Sequence, residues 1–299
     1  MIQSGILLID KPEGPSSAHV VHQVKKILGA KKVGHLGTLD PFASGLLIIG
    51  INDGTKIAEI FLGASKTYRG MMTLGIATDS QDSTGNVVEI RSVPTINERE
   101  MIELQNKFTG DLQQIPPMFS ALKKGGVPLY RLARQGKEVP REPRSVKIEN
   151  ICLRKLNDTE IEFEVTCSRG TYVRTLAADM GKELGCGAHL KTLRRTGCGH
   201  LSVTQAVPLN ELEKLAMEKK LPLISLASAL CHLRAVTWQS SWVSRLRLGQ
   251  QTLLNQLGEP VSGEKLVCIQ DPRREIVALA EWNSQVPTGW KLVRVFHAQ

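Results

Sequence analysis

The chain has 299 residues, enough for one large domain or two smaller ones, and 41% of them are hydrophobic, which excludes wholesale disorder. It carries 38 Lys and Arg against 29 Asp and Glu, a formal net charge of +9 that favours an anionic partner, above all nucleic acid. The longest apolar run, Leu46–Ile51, is far shorter than the ~18 residues of a membrane helix. The N-terminus lacks the pattern of a secretory signal, and the six Cys contain no CxxC pair. We therefore expect a cytoplasmic protein that does not enter a membrane.

The first hundred residues predict alternating strands and helices. Strands are expected at Gly5–Asp10, Leu46–Ile51 and Tyr68–Ile76. A first helix is expected from Ser17, as its cap, to Leu28, and a second from Asn97 to Phe108, with Asn97 and Glu100 as a capping pair.

The stretch 107–155 concentrates the charge. It holds 11 Lys and Arg against four Asp and Glu, an excess of seven out of the total of nine. Its many Pro and Gly residues favour loops with one short helix, Leu129–Gln135, rather than a packed sheet. A solvated surface would explain the charge, but its concentration favours a basic arm that grips phosphates.

The remaining chain predicts a second group of elements and a separate tail. Apolar and polar residues alternate along Ile161–Cys167, which is typical of a half-exposed strand. Helices are expected at Tyr172–Leu184, ended by Gly185, and at Asn210–Lys219. A boundary is expected near 230–242, followed by a strand-rich tail, 243–299, that predicts a small β-barrel-like domain.

Three segments contain residues that secondary structure alone does not require. The Gly-rich run Gly34–Gly45 places Asp40 in a loop ahead of a buried strand, where it serves equally well as a turn residue or as a carboxylate in a cleft. Tyr68 lies on a predicted strand, where a core aromatic is the plain reading. Arg174 lies in the first turn of a predicted helix, where the helix dipole disfavours a cation, so either a salt bridge or a functional site explains it.

Common catalytic motifs are absent, including GxGxxG, GxSxG and HExxH. Four potential zinc ligands lie close together in the sequence: Cys186, His189, Cys198 and His200. Their spacing is too tight for the usual zinc finger, so we expect no metal site.

The same segments resemble a known family. The run from Gly34 to Leu47, with Gly37-Thr38-Leu39-Asp40-Pro41 at its centre, looks like the catalytic motif of the TruB family of tRNA pseudouridine-55 synthases. Further motifs of the family follow in order over residues 5–210: Leu7–Ser17, Lys66–Tyr68, Gly75–Gly85, Pro116–Lys123, Leu129–Gly136, Gly170–Arg174 and Gly185–Arg195. The end of the chain, Leu248–Phe296, more weakly resembles a PUA-like RNA-binding module.

The resemblance implies an α/β (α+β) pseudouridine-synthase fold, with a mixed, mainly antiparallel sheet and a central cleft. It implies a catalytic domain over 1–235, with 107–155 as a basic RNA-contacting insertion, and a PUA-like domain over 240–299. The implied reaction isomerises a uridine in the T-loop of tRNA to pseudouridine. No group leaves and no net oxidation occurs, so no cofactor or metal is expected.

The resemblance also implies roles for individual residues. Asp40 is expected to act on the ribose as nucleophile or base, Arg174 to keep it ionised, and Tyr68 to stack on the flipped base and relay a proton. Asp82 is expected to support the loops of the site. Further contacts to the substrate are expected from His35, Tyr172, Leu193 and Lys11, and contacts to the RNA backbone from Lys123, Lys124, Arg131, Arg134 and Arg141.

The expected partner is the T-stem-loop of tRNA, bound by a monomer with no obligate protein partner. A non-catalytic RNA-binding or tRNA-folding chaperone is the alternative, since charge and a PUA-like tail suffice for it, but it leaves Asp40 and Arg174 unexplained. A DNA-directed protein is a third, weaker reading. The tail 243–299 is expected to add affinity without being needed for catalysis.

Overall fold

In the computed structural model, which describes residues 2–296, the two apolar runs near the N-terminus form neighbouring strands of a large sheet. Within this range the strands are β1 (Gly5–Lys11), β2 (Val33–His35), β3 (Ser44–Ile51), β4 (Lys66–Leu74), β5 (Ile76–Thr78), β6 (Val87–Ile90), β7 (Gly110–Gln114), β8 (Lys123–Lys124), β9 (Val127–Pro128), β10 (Arg144–Lys155), β11 (Glu160–Cys167), β12 (Ala188–Cys198), β13 (Leu201–Ser202), β14 (Val207–Pro208), β15 (Arg234–Thr237), β16 (Leu266–Gln270), β17 (Ile276–Trp282) and β18 (Trp290–Val295).

The helices of the same range are α1 (Ser17–Leu28), α2 (Ala58–Gly63), α3 (Glu98–Lys107), α4 (Leu129–Ala133), α5 (Val173–Glu183), α6 (Leu212–Met217), α7 (Leu226–Ala229) and α8 (Ser240–Arg247). Short 3-10 helices lie at Asn52–Ile57, Val203–Gln205, Leu209–Glu211 and Gln251–Leu257. No helix of residues 2–296 is long and apolar enough to cross a membrane.

The large sheet has ten strands in the order β14-β1-β3-β12-β4-β11-β10-β7, with β13 beside β12 and β2 beside β3. Its neighbours are antiparallel except for β1 with β14 and β3 with β12. The mixed, mainly antiparallel sheet expected from the resemblance is therefore confirmed. Because β12 lies between β3 and β4, it brings the end of the Gly34–Gly45 segment next to the strand that carries Tyr68.

The central strands are buried on both faces. Along β1, Leu7 and Ile9 point into one hydrophobic cluster, whereas Ile6 and Leu8 point into another. Alternate side chains of a strand point to opposite faces, so a strand covered on both sides reads as an unbroken apolar run. This explains the pattern that predicted β1 and β3.

Most predicted helices are confirmed, with changes at their ends. Asn97 and Glu100 form the predicted capping box of α3, and α5 is followed by Gly185 at a φ of 77°. The cap of α1 is Ser16 and not Ser17, because the Ser16 hydroxyl accepts the hydrogen bond from the backbone of His19. The last predicted helix is also shorter than expected, since α6 ends at Met217.

The stretch 107–155 is not all loop, which corrects the sequence prediction. Its two ends, β7 and β10, pair with each other at the edge of the large sheet. A bulge between Ile148 and Asn150 shifts the alternation of buried side chains along β10, so the strand pattern is interrupted in the sequence. Only the middle, residues 115–143, projects as a small hairpin followed by α4, and we call this segment the basic arm.

The C-terminal part is a small four-stranded sheet in the order β15-β16-β17-β18, so the expected C-terminal β domain is confirmed. Its first strand is β15, which starts before the expected domain limits of 235 and 240. We propose that the division falls just before Arg234. Residues 297–299 of the expected domain lie outside the described range.

The C-terminal sheet shares a core with the large sheet. Leu279 and Phe296 belong to the same hydrophobic cluster as Ile6 and Leu46. Removal of 243–299 would expose this cluster and leave β15 without its partner strand. The structure therefore argues against the expectation that the tail is dispensable for a folded, active protein.

Candidate active site

Asp40 lies in a loop whose backbone is fixed on both sides. On the N-terminal side, the hydroxyl of Ser17 donates to the carbonyl of Leu39 at 2.9 Å and accepts from its N–H at 2.8 Å. On the C-terminal side, the ammonium of Lys11 donates to the carbonyl of Pro41 at 3.2 Å, and the N–H of Gly14 donates to the same oxygen at 2.8 Å. The β1–α1 segment thus holds the two residues that flank Asp40.

Arg174 meets Asp40 at the start of α5. The Nε of Arg174 lies 2.9 Å from Oδ2 of Asp40, with the arginine side chain 5% exposed and the aspartate side chain 37% exposed. The other guanidinium nitrogens donate to the carbonyls of Ser80 at 3.0 Å and Phe119 at 2.8 Å. The structure therefore brings together the two residues that the resemblance paired, and ties them to the base of the basic arm.

Burial raises the pKa of the Asp40 carboxyl above its usual 3.8, and the nearby carboxylate of Asp82 raises it too. The charge and hydrogen bond of Arg174 oppose this shift, as does the charge of Lys11. The Asp40 side chain is only partly exposed, so its ionisation depends on these two cations.

Asp82 supports the second loop of the site. Its Oδ1 accepts hydrogen bonds from the hydroxyls of Ser80 and Thr84, and from the N–H of Thr84. Its Oδ2 lies 3.4 Å from the guanidinium of Arg174. This arrangement agrees with a supporting role for Asp82.

Tyr68 and His35 lie near a second buried arginine, Arg195. Tyr68 is half-buried on β4, directly opposite Arg195 of β12, and burial raises the pKa of its phenol to about 12. His35 is half-buried on β2, and burial together with the charge of Arg195 lowers the pKa of its imidazole, which is therefore neutral at pH 7. Its Nδ1 is buried without a hydrogen-bond partner in the described chain.

Tyr172 and Leu193 occupy different environments. Tyr172 is the residue before α5, and its backbone exchanges two hydrogen bonds with the side chain of Gln114, at 2.7 and 3.1 Å. Burial raises the pKa of its phenol, and the charge of Asp40 acts in the same direction. Leu193 is buried on β12 beside Gly70, within the larger hydrophobic cluster.

Lys11 does not present its charge to a bound RNA, which corrects the expected substrate contact. The residue is fully buried, and its ammonium donates to the carbonyls of Pro12, Pro15 and Pro41. An ammonium has three donors, so these three acceptors use all of them. Burial lowers the pKa of Lys11 to about 8, and its place in the site is to hold the loop of Asp40.

The cations expected to bind the RNA backbone lie on the basic arm. Lys123 and Arg131 are exposed, and the exposed ammonium of Lys124 donates to the carbonyl of Pro140. Arg134 lies over the ring of Tyr130. Arg141 is different, because Glu138 neutralises it at 2.7 Å, so the structure weakens its expected contact with RNA.

Two residues of the site had no predicted role. Ser17 was expected to cap a helix, yet its buried hydroxyl holds Leu39 instead. Arg195 was part of a recognised motif without a stated function.

In residues 2–296 no three His, Cys, Asp or Glu side chains are grouped so that they could hold a metal ion.

Comparison with known proteins places the chain in a family. The family model for "TruB family pseudouridylate synthase (N terminal domain)" matches residues 25–173, and that for "tRNA pseudouridylate synthase B C-terminal domain" matches residues 174–233. The chain is 40% identical to a tRNA pseudouridine synthase B of Geobacter sulfurreducens, over 98% of this chain and 99% of the relative. It is 48% identical to a protein of the same name from Bordetella avium, over 72% of this chain and 89% of the relative.

Solved structures agree with this assignment. A chain in the crystal structure of a Cbf5-Nop10-Gar1 complex is 28% identical, with a TM-score of 0.70, over 93% of this chain and 78% of that chain. A chain in the structure of an H/ACA RNP bound to a substrate RNA containing 2'-deoxyuridine is 26% identical, also with a TM-score of 0.70. Given matching family models, a relative that aligns over nearly its full length and a shared fold, this chain belongs to the TruB family of pseudouridylate synthases, isomerases that convert uridine to pseudouridine.

Proposed function

We propose that the protein isomerises uridine-55 in the T-loop of tRNA to pseudouridine. The observation that carries this proposal is the 2.9 Å ion pair between Arg174 and Asp40, in a loop clamped on both sides. The curated relatives named tRNA pseudouridine synthase B support tRNA as the substrate.

The carboxylate of Asp40 is proposed to start the reaction at the ribose, as a nucleophile at the anomeric carbon or as a base toward the sugar. Both roles need the ionised form. Arg174 supplies the charge that opposes the effect of burial on the pKa of Asp40. Since the reaction rearranges one nucleotide without net oxidation, the proposal requires no cofactor.

The target base lies inside a folded T-loop, so it must leave its stack before the chemistry begins. We propose that Tyr68 stacks on the flipped uracil and relays a proton, and that His35, Tyr172 and Leu193 line the nucleotide site. The neutral imidazole of His35 favours a hydrogen bond to the base over an ion pair with phosphate. The high pKa of Tyr68 keeps its phenol protonated at neutral pH.

RNA binding is proposed to come mainly from the basic arm. Its exposed cations, Lys123, Lys124, Arg131 and Arg134, have no carboxylate within ion-pair distance among the described residues, so they can contact phosphates. The C-terminal sheet is proposed to add further contact with tRNA as a PUA-like module. We further propose that the protein acts as a monomer in the cytoplasm.

The test is incubation with a synthetic T-stem-loop RNA, followed by detection of pseudouridine at position 55. Wild-type protein should convert the RNA, and Asp40→Ala should abolish conversion while it still binds the RNA. Asp158→Ala removes an exposed carboxylate outside the site and serves as the matched control.

Wild-type protein that binds the RNA without forming pseudouridine would overturn the proposal and favour the RNA-chaperone alternative. Conversion of an RNA in which only uridine-55 is replaced by cytidine would show that another uridine is the target.

A further inference from the structure

Arg195 lies where the segment that carries Asp40 meets the strand that carries Tyr68. On β12 it sits beside Gly45 of β3 on one side and opposite Tyr68 of β4 on the other. The residue is only 2% exposed. None of the functions described so far uses its charge.

The guanidinium of Arg195 holds both ends of the Asp40 segment. Its Nε donates to the carbonyl of Leu46 at 2.7 Å. Its two terminal nitrogens donate to the carbonyls of Thr38 at 3.2 Å and Gly37 at 3.1 Å. One side chain therefore links the backbone just before Asp40 to the strand that follows it.

This buried cation has no anionic partner in the described part of the chain. Among residues 2–296, Arg174 pairs with Asp40 and Arg194 with Asp10, but no carboxylate lies within 4.0 Å of Arg195. Burial of a guanidinium against carbonyls alone is costly, and a residue that only fills the core would be better apolar. The charge at this position therefore calls for a functional reason.

Tyr68 and His35 supply that reason. Directly opposed residues of antiparallel strands lie side by side on one face. Arg195 lies directly opposite Tyr68, its charge opposes the burial that raises the pKa of the Tyr68 phenol, and the same charge lowers the pKa of His35. The charge of Arg195 also lowers the pKa values of Lys11 and Lys66. Both of these ammonium groups already donate hydrogen bonds to backbone carbonyls.

We propose that Arg195 is a positioning residue that fixes the backbone before Asp40 and the ring of Tyr68 with a single guanidinium. The carboxylate and the ring then keep one mutual geometry while the base detaches, turns and reattaches. This inference rests on the proposed roles of Asp40 and Tyr68.

Two features agree with this role. The planar guanidinium of an arginine donates to several acceptors in different directions at once, which the single ammonium of a lysine does not. Gly45 has a φ of 100°, and a Cβ there would lie 2.2 Å from the carbonyl oxygen of Arg195, so the close contact of β3 with β12 requires glycine.

The experiment compares Arg195→Lys and Arg195→Met with the wild type. Arg194→Lys, on the same strand but half-exposed and paired with Asp10, is the matched control. Circular dichroism and thermal unfolding establish folding, titration with T-stem-loop RNA gives Kd, and rapid mixing gives the single-turnover rate. A displacement of reacting groups by about 1 Å costs about 100-fold in rate, so we expect that loss in both variants and an unchanged control.

Two further readouts separate positioning from bulk stability. Kd should stay within about threefold of wild type, since Arg195 does not face the RNA. In a Tyr68→Phe background, Arg195→Lys should cost less than in the wild type, because part of its effect acts through the phenol. By NMR, Arg195→Met should raise the pKa of His35, because a neighbouring cation is lost.

A folded Arg195→Lys with a rate within about threefold of wild type, or a loss of affinity as large as the loss of rate, overturns the inference. Wild-type protein that leaves T-loop RNA unmodified overturns the proposed function instead. If Arg195→Lys does not fold, Tyr68→Phe provides the test. This variant removes the phenol opposite Arg195 and leaves the hydrogen bonds of Arg195 to backbone carbonyls in place. A wild-type rate for Tyr68→Phe then overturns the inference. A lower rate at unchanged Kd and with an unchanged pH profile supports it, because loss of the proposed proton relay would also change the pH profile.

Discussion

At the scale of single residues, Arg174 occupies a position that local rules disfavour. A cation in the first turn of α5 opposes the helix dipole. The carboxylates of Asp40 and Asp82 and the carbonyls of Ser80 and Phe119 offset this cost, since they surround the guanidinium on several sides. The cation that the helix dipole disfavours therefore lies at the centre of the candidate site.

Arg174→Lys should separate the charge of this residue from its shape. Lysine keeps a cation but cannot reach Asp40 and two carbonyls at once. We expect the single-turnover rate of pseudouridine formation to fall by about 100-fold, with little change in the affinity for tRNA. Arg169→Lys, an exposed arginine in the preceding turn, is the control and should keep the wild-type rate. A full rate for Arg174→Lys would mean that charge alone suffices.

The pH dependence follows from the raised pKa of Asp40. The proposed mechanism needs the carboxylate of Asp40, so the rate should fall as the pH drops through a pKa that lies above the usual 3.8. Arg174→Gln removes the cation that favours the ionised form, which moves the acid limb to still higher pH. Single-turnover rates between about pH 4 and pH 8 measure the acid limb of the wild type and of Arg174→Gln. An acid limb that does not move in Arg174→Gln would show that another group titrates.

At the scale of elements, the basic arm is fastened to the site at its base and exposed at its tip. Its base is held because Arg174 binds the carbonyl of Phe119, and because Gln114, the residue just before the arm, binds the backbone of Tyr172. Its tip is the hairpin of β8 and β9, where Lys123 and Lys124 are exposed. Contact between the tip and RNA would therefore be transmitted through few bonds to Asp40.

Charge reversal at the tip should weaken binding without changing the chemistry. Each phosphate contact adds a slope of roughly 0.7 to 0.9 to the dependence of log K on log salt, so Lys123→Glu with Lys124→Glu should lower that slope by about 2 at most. Filter binding at several salt concentrations measures it. Lys25→Glu with Lys26→Glu, a matched exposed pair at the end of α1, is the control. Equal losses in both pairs would argue against a specific arm.

At the scale of the whole molecule, the two sheets are joined by a common core rather than by a loose linker. Residues of β17 and the segment after β18 pack with β1 and β3 in one hydrophobic cluster. A second cluster lies within the C-terminal part and contains Trp238 and Trp290. Packing of the C-terminal sheet against the ten-stranded sheet therefore stabilises both.

A truncation after residue 242 should give aggregated protein rather than an active enzyme of low affinity. A milder change, Leu279→Ala, should lower the free energy of unfolding by about 2–5 kcal/mol, as for other buried leucines. Urea unfolding measures this loss, and Leu248→Ala, at an exposed leucine of the same part, should have little effect. A soluble truncated protein with normal unfolding would show that the shared cluster is not needed.

Several features of this protein follow from the sequence alone. The unbroken apolar runs predicted β1 and β3, because strands buried on both faces need no polar positions. The capping pair of Asn97 and Glu100 predicted the start of α3, because such a cap depends on residues three positions apart. The motif around Asp40 indicated the family, and the resemblance predicted the pairing of Asp40 with Arg174, which the structure shows at 2.9 Å.

Other features depend on contacts that no local pattern contains. Ser17 and Lys11 hold the loop of Asp40 because β1 and α1 pack beside it, and their local readings were a helix cap and an RNA contact. The strand β10 was not predicted because its bulge interrupts the alternation of buried and exposed residues. Arg195 reaches the segments of both Asp40 and Tyr68 only because β12, which comes late in the chain, lies between β3 and β4. The sequence by itself indicated the family and the residues proposed to do the chemistry. Tertiary packing decided which groups hold those residues, since long-range strand order brings distant residues within hydrogen-bond distance.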